Sequence, residues 1–295
     1  SHCGYEMPGF AAFAQLQNKT SVYATGPTVT HATIKVLAEA YERKACGEMR
    51  FDLEASANEL PEPWLDPRLV FPHHRAKDSG TLQQFHESKH WQWIRGYKIN
   101  GEEVMIPVDL VFYPLYPEQL GRKLCCESNS SGVAAHFNEI DARTSALLEL
   151  IERDAIMATW YACRTVKAIP RSEWSDEVQK RASFWQDSGR TIKLLNLTLD
   201  SVPVALAIIA GSRYPCFVSG AASALDWESA ITKAFTEAEF MLLSWLASRP
   251  RRVNPQHVVS PRDHGLVYFR HENLNEVDWL LASDEGELTE PRKID

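Results

Sequence analysis

The sequence contains the same acidic pattern twice, each time within apolar residues at helical spacing. Residues 36–43 read VLAEAYER, and residues 144–162 read TSALLELIERDAIMATWYA. Two glutamates three positions apart are followed at once by an arginine: Glu39, Glu42 and Arg43 in the first stretch, and Glu149, Glu152 and Arg153 in the second. Residues i and i+3 share one face of a helix, so each helix is predicted to present a pair of carboxylates on one side.

Four carboxylates aimed at one place repel one another unless cations neutralise their charge. Mg²⁺ prefers hard oxygen ligands and often bridges carboxylates and phosphates. Arg43 and Arg153 could hold phosphate oxygens in a forked geometry. The repeat therefore favours a site for magnesium and phosphate. The alternative is a pair of exposed i,i+4 ion pairs, each worth roughly 0.2–0.5 kcal/mol.

A loop of small residues precedes each acidic helix. The first, ATGPT, spans residues 24–28, and the second, SNSSGVAAH, spans residues 128–136. Thr28 lies 11 residues before Glu39, and Asn138 lies 11 residues before Glu149. Small residues allow the backbone to approach a ligand, and a helix start attracts phosphate. The repeated combination of loop and acidic helix is more specific than either element alone.

Composition and charge exclude several classes of protein. The chain has 295 residues and a net charge of -8, which argues against a general nucleic-acid surface. No apolar run of about 18 residues predicts a membrane span, and the first residues do not resemble a signal peptide. None of the six cysteines forms a C-x-x-C pair, and the adjacent Cys125 and Cys126 are interpreted as small apolar residues near a core. We therefore expect a cytoplasmic protein with reduced thiols.

The pattern of elements predicts an α+β fold, mixed in α and β, as a single domain over residues 1–295. Because the sequence does not begin with methionine, its ends need not be those of the whole protein. The predicted elements are a strand region at 11–24, a helix N-capped by Thr30 with Ile34, Leu37, Ala38 and Tyr41 at helical spacing, a loop-like segment at 55–90, a hairpin with a two-residue turn at Asn100-Gly101, a helix at 139–163, three strands in 190–223, a helix at 227–249 and a short helix at 271–283.

These motifs resemble the YcaO family, ATP-dependent enzymes that activate backbone amides. The resemblance covers residues 24–281 and is strongest over 129–162, which is similar to the subgroup that forms azoline rings in ribosomal peptides. Residues 24–43 resemble the first family motif, and residues 219–240 resemble the third. The fold implied is a YcaO-like domain whose sheet and acidic helices enclose an ATP site.

The resemblance implies a role for each matching residue. Magnesium would be bound by Glu39, Glu42, Glu149 and Glu152. The nucleotide would be bound by these four together with Arg43, Ser131, Ala134, His136, Asn138, Arg153 and Glu237. The sequence departs from the family at Thr25, where a basic residue is usual, and at Phe240 and Leu242, where glutamine and arginine are usual. We assign the acid of the third motif to Glu237 rather than Glu239, and we assign no catalytic base.

The implied reaction is ATP-dependent cyclodehydration of Cys, Ser or Thr in a precursor peptide to thiazoline or oxazoline. Two alternatives remain open: the same ATP chemistry with another nucleophile, giving a thioamide or a macrocyclic amidine, and a non-catalytic YcaO-like scaffold. The implied cofactors are ATP and Mg²⁺. The implied partners are the precursor peptide, a leader-binding protein (an E1-like or peptide-clamp subunit), a dehydrogenase and a second copy of the chain. His136 as a general base and Asp263-His264 as a dyad are weighed against ordinary hydrogen bonding.

Overall fold

The computed structural model describes residues 10–15, 21–26, 28–61, 63–71, 80–248, 253–258 and 261–288. These residues group into two compact units, residues 1–143 and residues 144–295, and each unit is described by itself. Both units combine helices with antiparallel sheets, which confirms the α+β prediction. The prediction of a single domain over the whole chain stays a prediction.

The first unit contains a two-stranded sheet, a three-stranded sheet and two helices, and a third helix starts in it. Its elements are β1 (Phe10–Gln15), β2 (Ser21–Gly26), α1 (Val29–Gly47), β3 (Leu53–Ser56), β4 (His90–Tyr97), β5 (Glu103–Pro107), α2 (Pro117–Leu120) and the first turn of α3 (Glu139–Tyr161). Strands β1 and β2 form one antiparallel pair, and β3, β4 and β5 form an antiparallel sheet in that order.

Helix α1 starts two residues earlier than predicted. Thr28, not Thr30, is the N-cap, and its hydroxyl oxygen accepts a hydrogen bond from the His31 N–H at 3.2 Å. At Gly26 a Cβ atom would lie 2.7 Å from the Ala32 nitrogen, so only glycine lets the first turn of α1 come this close to β2.

The buried residues of α1 are not the apolar residues whose helical spacing predicted the helix. Ala32, Val36 and Cys46 are buried on α1, whereas Leu37 and Tyr41 are 52% and 73% exposed. Helical spacing thus identified the element correctly, but small residues rather than the larger apolar ones make its contacts.

The predicted hairpin is present between β4 and β5, with a different turn. Tyr97 pairs with Glu103, and the Lys98 N–H donates to the Glu102 carbonyl, leaving a three-residue loop. Gly101 adopts a positive φ of 84°, as the last residue of such a loop commonly does. The Asn-Gly signal therefore located the hairpin correctly, whereas the predicted two-residue turn is wrong.

Aromatic residues dominate the core beneath the three-stranded sheet. Trp91 and Trp93 are fully buried and pack with Phe85. Cys125 and Cys126 lie in the same cluster, which confirms that this adjacent pair packs as small core residues. The predicted loop-like segment 55–90 contains the last two residues of β3 and short 3₁₀ turns, and its residues 62 and 72–79 lie outside the described ranges.

The second unit is built on a four-stranded antiparallel sheet. Besides the rest of α3, its elements are β6 (Lys167–Ala168), α4 (Asp176–Asp187), β7 (Thr191–Asn196), β8 (Val204–Ala210), β9 (Phe217–Ser223), α5 (Trp227–Ser248), α6 (Pro261–Val267) and α7 (Asp278–Leu281). The strand order is β6-β7-β8-β9. The three predicted strands and the predicted third helix are confirmed. The predicted short final helix is a 3₁₀ turn at His271–Val277 followed by α7.

Helix α5 lies unusually close to β9 because the contact contains only small residues. A Cβ atom on Gly220 would lie 2.3 Å from the Ala238 nitrogen and 2.7 Å from the Ala234 carbonyl oxygen. Ala234 and Ala238 are fully buried on the side of α5 that faces the sheet. This contact fixes how closely α5 approaches the strand beside the candidate site.

Strand β9 is the last strand of the described sheet, so one side of its backbone does not pair with another strand. The Ala224 N–H donates to the Pro203 carbonyl, and hydrogen-bonded positions alternate along an antiparallel pair. The N–H groups of Ala221 and Ser223 therefore point away from β8. No helix within the described ranges is both long enough and apolar enough to cross a membrane.

Candidate functional site

A cleft of about 290 Å³ opens in the second unit where α3, β9 and α5 meet. Its lining combines three carboxylates, one amine and two hydroxyls with backbone of β9: Ser145, Leu148, Glu149, Glu152, Ala221, Ala222, Ser223, Lys233 and Glu237. Three acidic residues from two helices, Glu149, Glu152 and Glu237, therefore share one cavity.

Glu152 is the most perturbed of these acids. Its Oε2 accepts a hydrogen bond from the Ser223 N–H at 3.3 Å. Burial, followed by the negative charge of Glu237, raises the pKa of Glu152 to about 7, against the smaller lowering effects of the Ser223 N–H and Arg153. Ionisation of Glu152 therefore costs free energy until a cation binds beside it.

Glu237 projects from α5 into the same cleft. Burial raises its pKa, although the Ala221 N–H donates to its carboxylate and Arg153 also favours the charged form. The side chain still reaches solvent through the open mouth of the cleft, so the carboxylate is both desolvated by its surroundings and accessible to a ligand.

Glu149 and Arg153 form an i,i+4 ion pair on α3. The Glu149 Oε1 accepts hydrogen bonds from Arg153 Nη2 at 3.1 Å and Nε at 3.2 Å. This is the pair that the alternative interpretation expects, but its side chains are not equivalent: Glu149 is 27% exposed and lines the cleft, whereas Arg153 is 53% exposed. Arg153 also acts electrostatically on Glu152 and Glu237, so its positive charge belongs to the cluster.

Lys233 is the residue that the sequence analysis missed. It lies four positions before Glu237 on α5 and lines the cleft with the three glutamates. No carboxylate within the described ranges lies within ion-pair distance of its amine. The i,i+4 spacing to Glu237 could have identified it, because such residues lie on the same side of a helix.

Glu239 is buried away from the cleft. Its Oε2 accepts a hydrogen bond from Arg181 Nε at 2.9 Å, and its Oε1 accepts one from Trp185 Nε1 at 2.7 Å. The assignment of the motif acid to Glu237 agrees with these positions. Removal of Glu239 would leave the Arg181 and Trp185 donors without their buried acceptor. On the same helix, Phe235 and Leu242 are fully buried, whereas Leu243 is only partly buried.

In the first unit, α1 carries Glu39, Glu42 and Arg43. Arg43 lies 3.6 Å from Glu39 and 3.4 Å from Glu42, measured between nitrogen and oxygen. Its Nη1, the atom that faces Glu42, is buried and makes no geometric hydrogen bond within the described residues. A guanidinium held in this way is suited to a further acceptor such as a phosphate oxygen. That Glu39 and Glu42 bind magnesium with Glu149 and Glu152 stays a prediction.

The second predicted loop is held by its own side chains. The Ser131 N–H donates to Asn129 Oδ1 at 2.9 Å, and Asn138 Oδ1 accepts the Asp141 N–H at 2.9 Å at the start of α3. His136 Nδ1 lies 3.3 Å from Asp141 Oδ2. Nucleotide contacts from Ser131, Ala134, His136 and Asn138 stay predictions.

The donor set of the cleft fits magnesium held jointly with phosphate. Its ligands are carboxylate oxygens, which Mg²⁺ prefers, and burial, which raises the pKa of Glu152 and Glu237, disfavours their ionised forms until a cation binds. Within the described ranges, no three His, Cys, Asp or Glu groups are arranged to hold an ion by themselves. Magnesium commonly keeps several waters and uses one or two carboxylates plus substrate phosphates, so this partial set is the expected kind.

The fold and the cleft define an α+β protein with helix-borne carboxylates suited to a magnesium-bound nucleotide. The chain belongs to the YcaO family: the family model described as YcaO cyclodehydratase, ATP- and Mg²⁺-binding, matches residues 23–291. ATP and Mg²⁺ are accordingly its cofactors.

An uncharacterised protein of Methanothermobacter thermautotrophicus is 29% identical over 226 residues, which cover 74% of this chain and 56% of that protein. The chain thus spans little more than half of this relative.

Solved structures share the fold at low sequence identity. A heterocyclase in complex with substrate and cofactor is 22% identical with a TM-score of 0.74, over 93% of this chain and 38% of that one. The YcaO protein of Methanopyrus kandleri bound with AMPPCP and Mg²⁺ is 18% identical with a TM-score of 0.69, over 98% and 70%. A chain of the E. coli microcin synthetase McbBCD complex with pro-MccB17 bound is 14% identical with a TM-score of 0.73, over 100% and 81%.

Proposed function

We propose that this chain is the ATP-dependent subunit of a cyclodehydratase that activates peptide backbone amides and forms thiazoline or oxazoline rings. The observation that carries the proposal is the cleft in which Glu149, Glu152 and Glu237 face Lys233. Such a cleft pairs carboxylates for a hard cation with an amine for phosphate oxygens, which suits phosphoryl transfer.

The residues of the chain have separable roles in this proposal. Glu152 and Glu237, whose ionisation is opposed by burial, are compensated by the cation that accompanies the nucleotide. Lys233 and Arg153 hold phosphate oxygens, and the Ser223 and Ala221 N–H groups keep the two carboxylates in place. Glu39, Glu42 and Arg43 on α1 and the loop residues Ser131, Ala134, His136 and Asn138 are proposed as further nucleotide-binding residues.

The proposed reaction removes one carbonyl oxygen from the peptide. A Cys, Ser or Thr side chain adds to the preceding carbonyl carbon and loses its proton, and the former amide nitrogen also loses its proton as the C=N bond of the azoline forms. Mg²⁺-bound ATP supplies the phosphoryl group with which that oxygen leaves as phosphate, and ADP is the other product. What the chain contributes is position and neutralised charge, which dominate catalysis of phosphoryl transfer.

We further propose that a leader-binding subunit presents the precursor peptide, in the cytoplasm, and that a dehydrogenase can act on the azoline product. Two relatives in fold support association with peptide and protein, since one is in complex with substrate and the other is a complex with pro-MccB17 bound. Homodimer formation is proposed as well, and sedimentation of the purified chain tests it.

Mass spectrometry of a precursor peptide tests the reaction. The peptide is incubated with ATP, Mg²⁺ and the chain, with and without the leader-binding subunit. Loss of water only with the subunit present is the expected result, and loss of water by the chain alone would remove the need for a partner. Exchange of oxygen for sulfur when sulfide is added, or closure of a ring through the amino terminus, would replace azoline formation by thioamide or amidine formation. An unchanged peptide together with no ATP turnover would favour a non-catalytic scaffold.

Lys233→Ala tests the assigned phosphate contact. Lys180 on α4 is exposed and provides a matched control, because Lys180→Ala removes the same charge outside the cleft. Loss of one charged contact is expected to weaken ATP binding by about tenfold or more, since hydrogen bonds to charged groups are worth about 1.5–3 kcal/mol. Equal ATP affinities in the two variants would remove Lys233 from the site.

A further inference from the structure

A second polar cluster binds α5 on the side opposite the cleft. Arg181 of α4 donates from Nε and Nη2 to the Glu239 carboxylate, and its Nη2 also lies 3.1 Å from Thr236 Oγ1. Trp185 Nε1, one turn further along α4, donates to the other Glu239 oxygen at 2.7 Å. We call Arg181, Trp185 and Glu239 the α4–α5 clamp. Glu239 is 4% exposed and Arg181 is 8% exposed, so the clamp is a buried ion pair.

Stability alone is a weak explanation for such a pair. Desolvation of two charges often cancels their attraction, and well-packed apolar residues in the same place are often as stable or more stable. What an ion pair adds is a defined geometry, because the guanidinium fork and the indole N–H donate to the carboxylate in one orientation. In this molecule the element that such a pair can orient is α5, which carries Glu239.

Glu239 lies two residues after Glu237, and two residues turn an α-helix by about 200°. The two carboxylates therefore point to nearly opposite sides of α5, one into the clamp and one into the cleft. A glutamate carboxylate reaches about 6 Å from the helix axis, so a rotation of about 20° would move Glu237 by about 2 Å. That displacement is enough to break the bond from the Ala221 N–H to Glu237.

The contact of α5 with β9 does not prevent such a rotation by itself. Gly220 meets Ala234 and Ala238 in a smooth, small-residue contact that sets how close the helix lies to the strand. At this position short side chains offer little resistance to rolling about the helix axis, since they do not interlock deeply. Ile231, Phe235 and Leu242 of α5 are also buried, but their apolar contacts lack the directionality of hydrogen bonds. The α4–α5 clamp is the directional contact on the other side of the helix.

We infer that Arg181 and Trp185 are positioning residues, which act through Glu239 to set the rotation of α5 and so hold Glu237 in the cleft. The inference rests on the proposed function for its consequence in nucleotide binding, but its geometric part concerns the chain alone. It gives Glu239, at the third motif, a role that does not involve contact with the nucleotide.

The decisive variant replaces the clamp by apolar residues of similar size, Arg181→Met with Glu239→Leu. The melting temperature is expected to stay the same or rise, while the affinity for AMPPCP with Mg²⁺ falls by about tenfold or more, as misplacement by about 1 Å can cost about 100-fold in a site. Hydrogen exchange at the Ala221 amide, measured without nucleotide, is expected to accelerate because its acceptor has moved.

The control is Glu177→Gln. Glu177 is exposed and pairs with Arg181 Nη1 at 2.9 Å outside the clamp, so this variant should change neither affinity nor exchange. Trp185→Phe removes only the indole donor and serves if the double variant does not fold, with a smaller loss in the same two measurements.

A folded clamp variant with unchanged Ala221 exchange and unchanged affinity would overturn the inference. The proposed function fails separately, if the wild-type chain does not bind AMPPCP with Mg²⁺. In that case Ala221 exchange still decides whether the clamp positions Glu237.

Discussion

The carboxylates of Glu152 and Glu237 reach the same cleft from two different helices, and the charge on Glu237 opposes ionisation of Glu152. Burial is the larger cause of the raised pKa of Glu152, and the neighbouring charge adds to it. The unliganded cleft therefore stores electrostatic free energy that a divalent cation releases on binding.

The first prediction concerns pH and stability. The pKa of Glu152 is raised from 4.5 to about 7 in the folded chain, so between these values the folded state binds more protons than the unfolded state. The contribution of Glu152 is thus fully present below about 4.5 and is lost as pH rises through about 7. Thermal unfolding without Mg²⁺ should show this fall, and added Mg²⁺ should offset it increasingly at higher pH.

Glu152→Gln is the control for that experiment. The variant retains the shape of the side chain but cannot ionise, so the fall in stability between about 4.5 and about 7 should become shallower. A wild-type profile with the same slope as the variant would show that Glu152 does not titrate as the geometry indicates.

The second prediction concerns ATP turnover. Glu149→Gln removes one negative charge from the cleft while keeping the side-chain volume, so the fold should persist and turnover should fall by roughly 100-fold or more. Glu139→Gln provides the matched control, because Glu139 lies on the same helix but is 75% exposed and pairs with Arg143. Normal turnover and an unchanged dependence on Mg²⁺ in Glu149→Gln would contradict the assignment.

The third prediction separates the two glutamates of α5. Glu237→Ala should lower activity with little effect on unfolding, because its side chain opens to the cleft. Glu239→Ala should cost about 3–5 kcal/mol in the free energy of unfolding, since it leaves Arg181 buried without its carboxylate. Denaturant unfolding of both variants measures the difference, and equal losses of stability would be inconsistent with the observed contacts.

The fourth prediction concerns the contact between α5 and β9. Gly220→Ala should destabilise the second unit by about 1–3 kcal/mol, because the added methyl group meets the backbone of Ala238 and Ala234. Gly80→Ala is the control, since a Cβ atom there has no neighbour within 4 Å. Similar unfolding midpoints for the two variants would mean that α5 can shift without cost.

The acidic helices and the strands could be predicted from the sequence because their signals are local. The apolar run of β8 and the spacing of Glu149 and Glu152 are visible within a few residues of chain. Glu237 was identified through the resemblance of residues 219–240 to the third family motif, which is also a local signal.

The partners of Glu239 could not be predicted, because Arg181 lies 58 residues away in sequence and only the packing of α4 against α5 within the second unit brings it close. The buried face of α1 could not be predicted from the sequence for a similar reason. Its large apolar residues suggested one face, whereas the close approach at Gly26 selects Ala32 and Val36. Long-range contacts of this kind leave no periodic trace in a single sequence.

The outward N–H groups of β9 give the cleft a second consequence. An exposed sheet edge invites the strand of another molecule, and proteins protect such edges with charge or with covering groups. In this chain β9 is largely buried, and its Ser223 and Ala221 amides are bonded by Glu152 and Glu237, so the acids that attract a cation also satisfy two donors that no strand pairs with. Loss of both acids should leave these two amides without an acceptor, and a lower melting temperature of the double variant would reveal that structural role separately from any loss of catalysis.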